Sequence, residues 1–300
     1  MKGMEATTQS TAIRVRSRVY VELFKPRITA MVLLTVAIGW LLGTVGAADP
    51  VVLFHVLFGA GCSCAGAGAL NQYMERDSDG SMDRTRFRPL PTHRISPTWA
   101  LGLGVAAAAG GVIYLASLVN ATAALVDACT LASYLFVYTP MKKLSAYSTL
   151  AGAVPGALPP VIGWAAATGG IGIHAWILFA ILFLWQIPHF LAIGVLYKRD
   201  YASGGFPMLV VVDEQGSLTG RQMILYAATL IPISLMVSVV GLAGAVYFWA
   251  ALVLGVVYLG YSVRAAVRMD APAARRLLLC SVAYLPLLLA VMVLDRIAVG

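Results

Sequence analysis

Residues 51–70 read VVLFHVLFGAGCSCAGAGAL, and residues 71–91 continue NQYMERDSDGSMDRTRFRPLP. The first segment contains no Asp, Glu, Lys or Arg, whereas the second holds four acids and four arginines. A charge-free run of about 20 residues is long enough, as a helix, to cross a hydrocarbon core of roughly 30 Å. Its sudden end in mixed charge has the form of a membrane-spanning helix emerging into water. The rest of the chain repeats that form. Of its 300 residues, 60% are hydrophobic and 11% charged, against about 25% charged in a soluble protein. Apolar windows of spanning length lie near 29–46, 51–72, 98–118, 120–139, 149–168, 173–197, 221–241, 243–262 and 274–296. The expected fold class is all-α, a polytopic membrane bundle of about nine transmembrane helices.

Lysine and arginine give the orientation. With nine spans, every one of the 21 basic residues except Arg296 falls on the side of the N-terminus. The positive-inside rule places that side in the cytoplasm of a multi-pass cell (inner) membrane protein. The net charge of +8 is then a topological signal, and no nucleic-acid-binding motif accompanies it. Residues 1–28 read as a basic cytoplasmic arm with no signal-peptide cleavage pattern, and residues 29–297 as one transmembrane domain. Its cytoplasmic connections near 73–97 and 198–220 are long and polar, while outer ones such as AADP and GGIG are brief and nearly uncharged. Chemistry is therefore expected on the cytoplasmic face. The second and sixth spans share a design, an apolar helix turning polar before a long loop, as a distant internal duplication would leave. Cys62, Cys64, Cys129 and Cys280 lie within spans and read as small buried packing residues, with no disulfide framework. Pro155, Pro159 and Pro160 should kink or break the fifth span, and kinked helices often line cavities.

Asn71, Glu75, Asp79 and Asp83 recur every four residues. On one helix, side chains at that spacing share a face about 6 Å apart along the axis. Gly80 can bend the helix, so the first three are the firmer set. Oxygen ligands of this kind suit Mg²⁺, which takes one or two carboxylates and completes its shell with phosphate oxygens and water. Asn71 still lies inside the apolar segment, where a polar group facing lipid is expensive and should face a protein interior. The arginines of MDRTRFRPLP follow at once, and arginine binds phosphate oxygens bidentately without losing its charge. Metal and arginine together point to a diphosphate held at the mouth of a membrane-embedded pocket.

The run NQYMERDSD followed by MDRTRFRPLP resembles the first signature of the UbiA-type intramembrane prenyltransferases. Glu75 at the second acidic position and the R-T-x-x-R-P-L-P tail are similar to the branch of that family that farnesylates protohaem IX, the haem O synthases. Lys25-Pro26-Arg27, YTPMKK at 138–143, GAVPGALPPVIGW at 152–164, WQIPHF at 185–190 and DYASGGFPML at 200–209 agree with it. Together they cover roughly residues 22–215, and the last three spans match in hydropathy alone. The pattern is departed from twice. Gly204 stands four residues after Asp200, where many relatives have a second acid, and His93 stands where a glycine is expected.

The resemblance implies a helix bundle around a central cavity open to the cytoplasm. It implies farnesyl transfer from farnesyl diphosphate to a vinyl group of haem b, with Mg²⁺ as cofactor and a haem A synthase as candidate recipient of the product. It carries roles onto matching residues. Asn71, Glu75, Asp79 and Asp200 would hold Mg²⁺, with Asp83 beside them. Arg84, Arg88, Lys142 and Lys143 would grip the diphosphate, and Lys25, Arg27 and Lys198 would add positive charge. Tyr138 and Tyr201 would offer hydroxyls or aromatic faces, and Trp185 and Gln186 would contact substrate. For His189 two readings stand: an axial ligand of haem iron, or a hydrogen-bonded structural or substrate-orienting residue. Asp127, the one acid well inside a span, reads as structural, and His55 and His174 carry no assigned role. The alternatives are a UbiA-type enzyme acting on an aromatic quinone precursor and a transporter of an anionic solute.

Overall fold

The computed structural model describes residues 19–296; Lys2, Arg14, Arg16, Arg18 and position 297 lie outside them. Among the described residues, nine helices are long and apolar enough to cross a membrane. They are α1 Pro26–Gly43, α2 Pro50–Asp79, α3 Pro97–Leu118, α4 Ala121–Met141, α5 Ser148–Thr168, α6 Ile173–Leu196, α7 Ser217–Val239, α8 Ala245–Arg268 and α9 Ala271–Leu294. Each matches an expected span to within a few residues at most ends, with α2 and α8 running furthest beyond theirs at the C-terminal end. Two short helices, Lys198–Ser203 and Leu209–Val212, lie in the connection between α6 and α7.

Local sequence sets the starts. Asp49 accepts from Val51 N at 2.8 Å ahead of Pro50, and Ser96 accepts from Trp99 N ahead of Pro97. A short polar cap followed by proline is a favoured helix start, because the cap satisfies a free N–H and proline lacks one. Asn120 caps α4 through Ala123 N and donates to the Ala165 and Ala166 carbonyls at the end of α5, joining the two helices on the outer side.

Packing then follows small residues. α2 and α3 lie side by side, where a Cβ on Gly66 would collide with the Ala108 backbone and one on Gly111 with that of Gly59 and Ser63. The second half of α5 presses equally close to α1, since a Cβ on Gly163 would meet the Val36 carbonyl. Without a hydrophobic drive between helices in lipid, such close approach is the main source of association. α5 breaks at Leu158 into Ser148–Ala157 and Pro159–Thr168, as its prolines require. α7 and α9 pack against α6 on the far side of the bundle. α8 packs against α7 and α9 and reaches α6 through the Tyr258 hydroxyl, which donates to the Trp185 carbonyl at 2.9 Å. α9 touches α1 only lightly. There Arg296 closes the outer end by donating to the Leu41 and Thr44 carbonyls at the end of α1, where a cation also suits the helix dipole. Large apolar side chains such as Phe54, Ile113, Leu125, Trp249 and Leu287 remain on the outside, where lipid would meet them. Cys129 is exposed and Cys62, Cys64 and Cys280 are half-buried, so the expectation of buried cysteines fails for the first and holds only in part for the others.

Candidate active site

α2 carries the acidic stripe beyond the apolar core. Asn71, Glu75 and Asp79 fill its last turns at 2%, 5% and 0% exposure, so they face the protein interior rather than water. The helix stops at Asp79; Gly80 follows, and Thr85 Oγ1 caps the end by donating to the Asp79 carbonyl at 2.9 Å. That turn brings Arg88 back over the helix end, where its Nη1 donates to both Asp79 carboxylate oxygens at 2.9 and 2.7 Å. Lys142 Nζ donates to Glu75 Oε1 at 2.7 Å. Lys25 Nζ donates to Asn71 Oδ1 at 2.9 Å, and Asn71 Nδ2 to Thr139 Oγ1 at 3.3 Å.

The cations arrive by distinct local devices. Lys25 sits ahead of α1 with φ 48, in the left-handed region. Gln72 Nε2 pins the preceding backbone by donating to the Glu22 and Leu23 carbonyls. In α4 the turn Ser133–Tyr138 is π-helical, an insertion often found at functional sites. It leads into Lys142, whose ammonium lies 4.5 Å from the centre of the Tyr138 ring. Tyr134 and Tyr138 lie together, with ring centroids 5.6 Å apart.

Electrostatics set the states of these groups. Burial, reinforced by Arg88 and Lys142, lowers Lys25 to about 7. Burial also opposes charge on Lys142, yet Tyr138 and Glu75 outweigh it and hold the ammonium above the usual lysine range. Burial raises Tyr201, so its phenol stays a neutral donor. Arg84, Arg88, Lys142 and the partly protonated Lys25 line the mouth with two carboxylates, Glu75 and Asp79, leaving an excess of positive charge that suits an anion.

Behind the mouth lies a cavity of about 500 Å³, walled by α1, α2, α4, α5 and α6 and by the segment from Tyr201 to Met208. Its wall is mostly apolar, with Val32, Ala67, Leu131, Pro159 and Ile162 among the lining residues. No cluster of three or more His, Cys, Asp or Glu side chains able to hold a metal exists among the described residues. The donor set of two carboxylates and the Asn71 amide oxygen still fits Mg²⁺, a hard cation that completes its shell from a bound phosphate.

Residues 32–289 match the UbiA prenyltransferase family. The chain belongs to that family. It is 46% identical over 288 residues to the protoheme IX farnesyltransferase of Solibacter usitatus, covering 93% of this chain and 99% of that protein. It is 44% identical to the protoheme IX farnesyltransferase of Koribacter versatilis, covering 93% of each. In fold it resembles a UbiA homologue from Archaeoglobus fulgidus solved with DMAPP and Mg²⁺, with TM-score 0.66 and 18% identity over 91% of this chain and 98% of that one.

Of the residues the sequence singled out for this UbiA chain, Asn71, Glu75, Asp79, Lys25, Arg84, Arg88, Tyr138, Lys142, Gln186 and Tyr201 line the cavity. Asp83 does not: it lies past the end of α2, is exposed, and pairs with Arg86 at 3.2 Å. Arg27, Lys143 and Lys198 are exposed and outside the lining. Asp200 also lies outside it, and its carbonyl ends the short helix by accepting from Gly204 N. At Gly204, where relatives carry an acid, a Cβ would press on the Met82 thioether at 2.9 Å. Trp185 and His189 turn away from the cavity toward α9. Trp185 Nε1 donates to the Ser281 carbonyl at 2.9 Å, and His189 Nδ1 lies 2.7 Å from Ser281 Oγ, its ring stacked on Trp185. The hydrogen-bonded reading of His189 describes this position. His93 has φ 55, which explains the glycine expected there. Asp127, read as structural, lines the cavity instead. Tyr134, Phe190, Phe206 and Met208 also line it and were not foreseen. Tyr134, Tyr138 and Lys142 recur every four residues, the same signal that revealed the acids.

Proposed function

We propose that the protein transfers the farnesyl group of farnesyl diphosphate to a vinyl group of haem b, giving haem O for haem–copper oxidases. The observation that carries this reading is the cavity itself: a mostly apolar chamber whose mouth holds a cluster of cations beside two buried carboxylates. The curated relatives with 39–46% identity over most of the chain are protoheme IX farnesyltransferases, which supports the choice of donor and acceptor.

The chain's own residues account for much of the chemistry. Lys25, Arg84, Arg88 and Lys142 hold the diphosphate and neutralise charge as the allylic C–O bond breaks. Glu75 and Asp79 pair with Lys142 and Arg88, so the cations that hold the diphosphate are positioned by the carboxylates beside it. Mg²⁺, held by Glu75, Asp79 and Asn71, would supply further charge neutralisation on the leaving diphosphate. The Tyr134, Tyr138 and Tyr201 rings present π faces near the reacting end, and such faces favour cations by ~0.5–2 kcal/mol. The apolar wall binds the prenyl tail at about 0.8 kcal/mol per buried CH₂ and keeps water from the allylic cation. That carbon bonds to the vinyl terminus, the resulting cation adds water, and a proton leaves to give the hydroxyethylfarnesyl side chain.

The mouth is built from Met82–Arg88, Lys142 and Tyr201–Met208, connections on the arginine-rich side. We place that side in the cytoplasm of the inner membrane, with the product available to a haem A synthase. Expression of the chain followed by mass and absorption analysis of extracted haems tests the reading. Haem O is expected. Membranes given farnesyl diphosphate with haem b or with 4-hydroxybenzoate separate the alternatives, and prenylation of the benzoate alone would overturn it.

A further inference from the structure

The deep end of the cavity is polar, and prenyl binding leaves that polarity unexplained. Ala60 and Ser63 of α2, Asp127 of α4, Val32 of α1 and Ile162 of α5 lie at the end furthest from the diphosphate cluster. Asp127 is 4% and Ser63 1% exposed. They lie within hydrogen-bonding reach of one another, and neither Ser63 Oγ nor Asp127 Oδ2 has any other partner among the described residues. No cationic side chain forms a salt bridge to Asp127 there. An acid inside a span without a charged partner is costly and is a functional candidate by default.

Distances along α2 give it a task. Asn71 stands at the polar end of the tail chamber, and Ser63 and Ala60 are eight and eleven residues deeper. At 1.5 Å rise per residue these lie about 12 and about 17 Å below it. An extended carbon chain advances about 3.5 Å per three bonds, so three prenyl units of four chain bonds each reach about 14 Å and four units about 19 Å. A farnesyl tail anchored at Asn71 therefore ends at the Ser63–Asp127 pair. A fourth unit would have to press apolar carbon against a buried polar pair that has no partner beyond itself, which burial penalises.

We propose that Ser63 and Asp127 form a polar floor that sets the donor chain length at three prenyl units. The inference rests on the prenyl-donor reading of this cavity. It makes Asp127 a specificity-determining residue, distant from the reacting carbon.

The test uses the full chain in lipid nanodiscs with Mg²⁺. Competition among the thiolodiphosphate analogues of the ten-, fifteen- and twenty-carbon donors measures binding without the acceptor, and turnover with haem b is read in parallel. The wild type should prefer fifteen carbons over twenty by at least about ten-fold, a difference of 1.4 kcal/mol. Asp127→Ala should cut that preference to three-fold or less, while Asp127→Asn, which keeps the floor polar and the same size, should retain it. Ser63→Ala, which keeps the close approach of α2 to α3 at Gly111, should weaken the preference in the same direction as Asp127→Ala. If Asp127→Ala fails to insert, Ser63→Ala carries the same question. Unchanged chain-length ratios in the inserted variants would overturn the floor and leave the donor reading intact. Failure of every analogue to bind the wild type would instead overturn the donor reading and the floor with it.

Discussion

The connections after α2 and after α6 look alike in sequence, yet they serve the cavity differently. At the end of α2 and just beyond it, the side chains that carry charge converge: Glu75 and Asp79 are buried and meet Lys142 and Arg88 within 2.9 Å. After α6, the charged residues stay out. Lys198 and Arg199 are exposed, Asp200 lies beside the cavity, and the wall is supplied by Tyr201, Phe206 and Met208. The first connection holds the leaving group and the second mainly covers it. Gly204 adds to the difference, since it brings no carboxylate to the wall and the Met82 side chain packs against it.

Mutations test that division, and the greatest loss is expected in the first connection. Glu75→Gln and Asp79→Asn should each reduce haem O formation by about 100-fold or more, with the protein still inserted. Normal turnover by both would remove the carboxylates from the chemistry. Asp200→Asn should cost about ten-fold less than Asp79→Asn in the same assay. An equal loss would mean that the second connection closes onto the donor and becomes a charge partner. Lys142→Met removes a diphosphate ligand and strands Glu75, so the farnesyl diphosphate KM should rise about ten-fold. Thermal stability should also fall, since an unpaired buried charge costs about 3 kcal/mol before it neutralises.

Smaller effects should separate the two faces of α6. Gln186→Leu alters a cavity wall residue that donates to the Leu182 and Ala153 carbonyls, and should change kcat several-fold. Trp185→Phe loses one hydrogen bond to Ser281, worth about 1 kcal/mol of stability, with little change in donor KM. The smallest change is expected at Asp83, where Asp83→Asn disturbs an exposed pair with Arg86 and should leave turnover within two-fold, as surface pairs contribute about 0–1 kcal/mol.

Legibility followed the same division. The stripe at 71, 75 and 79 could be read because one helix carries it and its first member sits where a polar group cannot face lipid. The tetrads at Tyr134, Tyr138 and Lys142 carried the same spacing but were partly hidden, since two of the three are tyrosines that a membrane interface also favours. WQIPHF could not be resolved at all. Its polar residues fall on both faces of α6: Gln186 turns inward, while Trp185 and His189 turn toward α9. Nothing in a six-residue stretch states which face has the neighbour. Asp127 was visible as an anomaly, but its place at the end of a cavity depends on four other helices.

The sequence by itself determined the nine spans and the polar end of the chamber. Those follow from local quantities: apolar run length and the four-residue helical repeat. Only the tertiary structure decided that Lys25 and Lys142 meet α2, that Asp83, Asp200 and His189 stay outside, and that the cavity ends at Ser63 and Asp127. Each of these is a contact between residues far apart in the chain. They are set by how closely small residues let α1, α2, α4, α5 and α6 approach, which no single segment encodes.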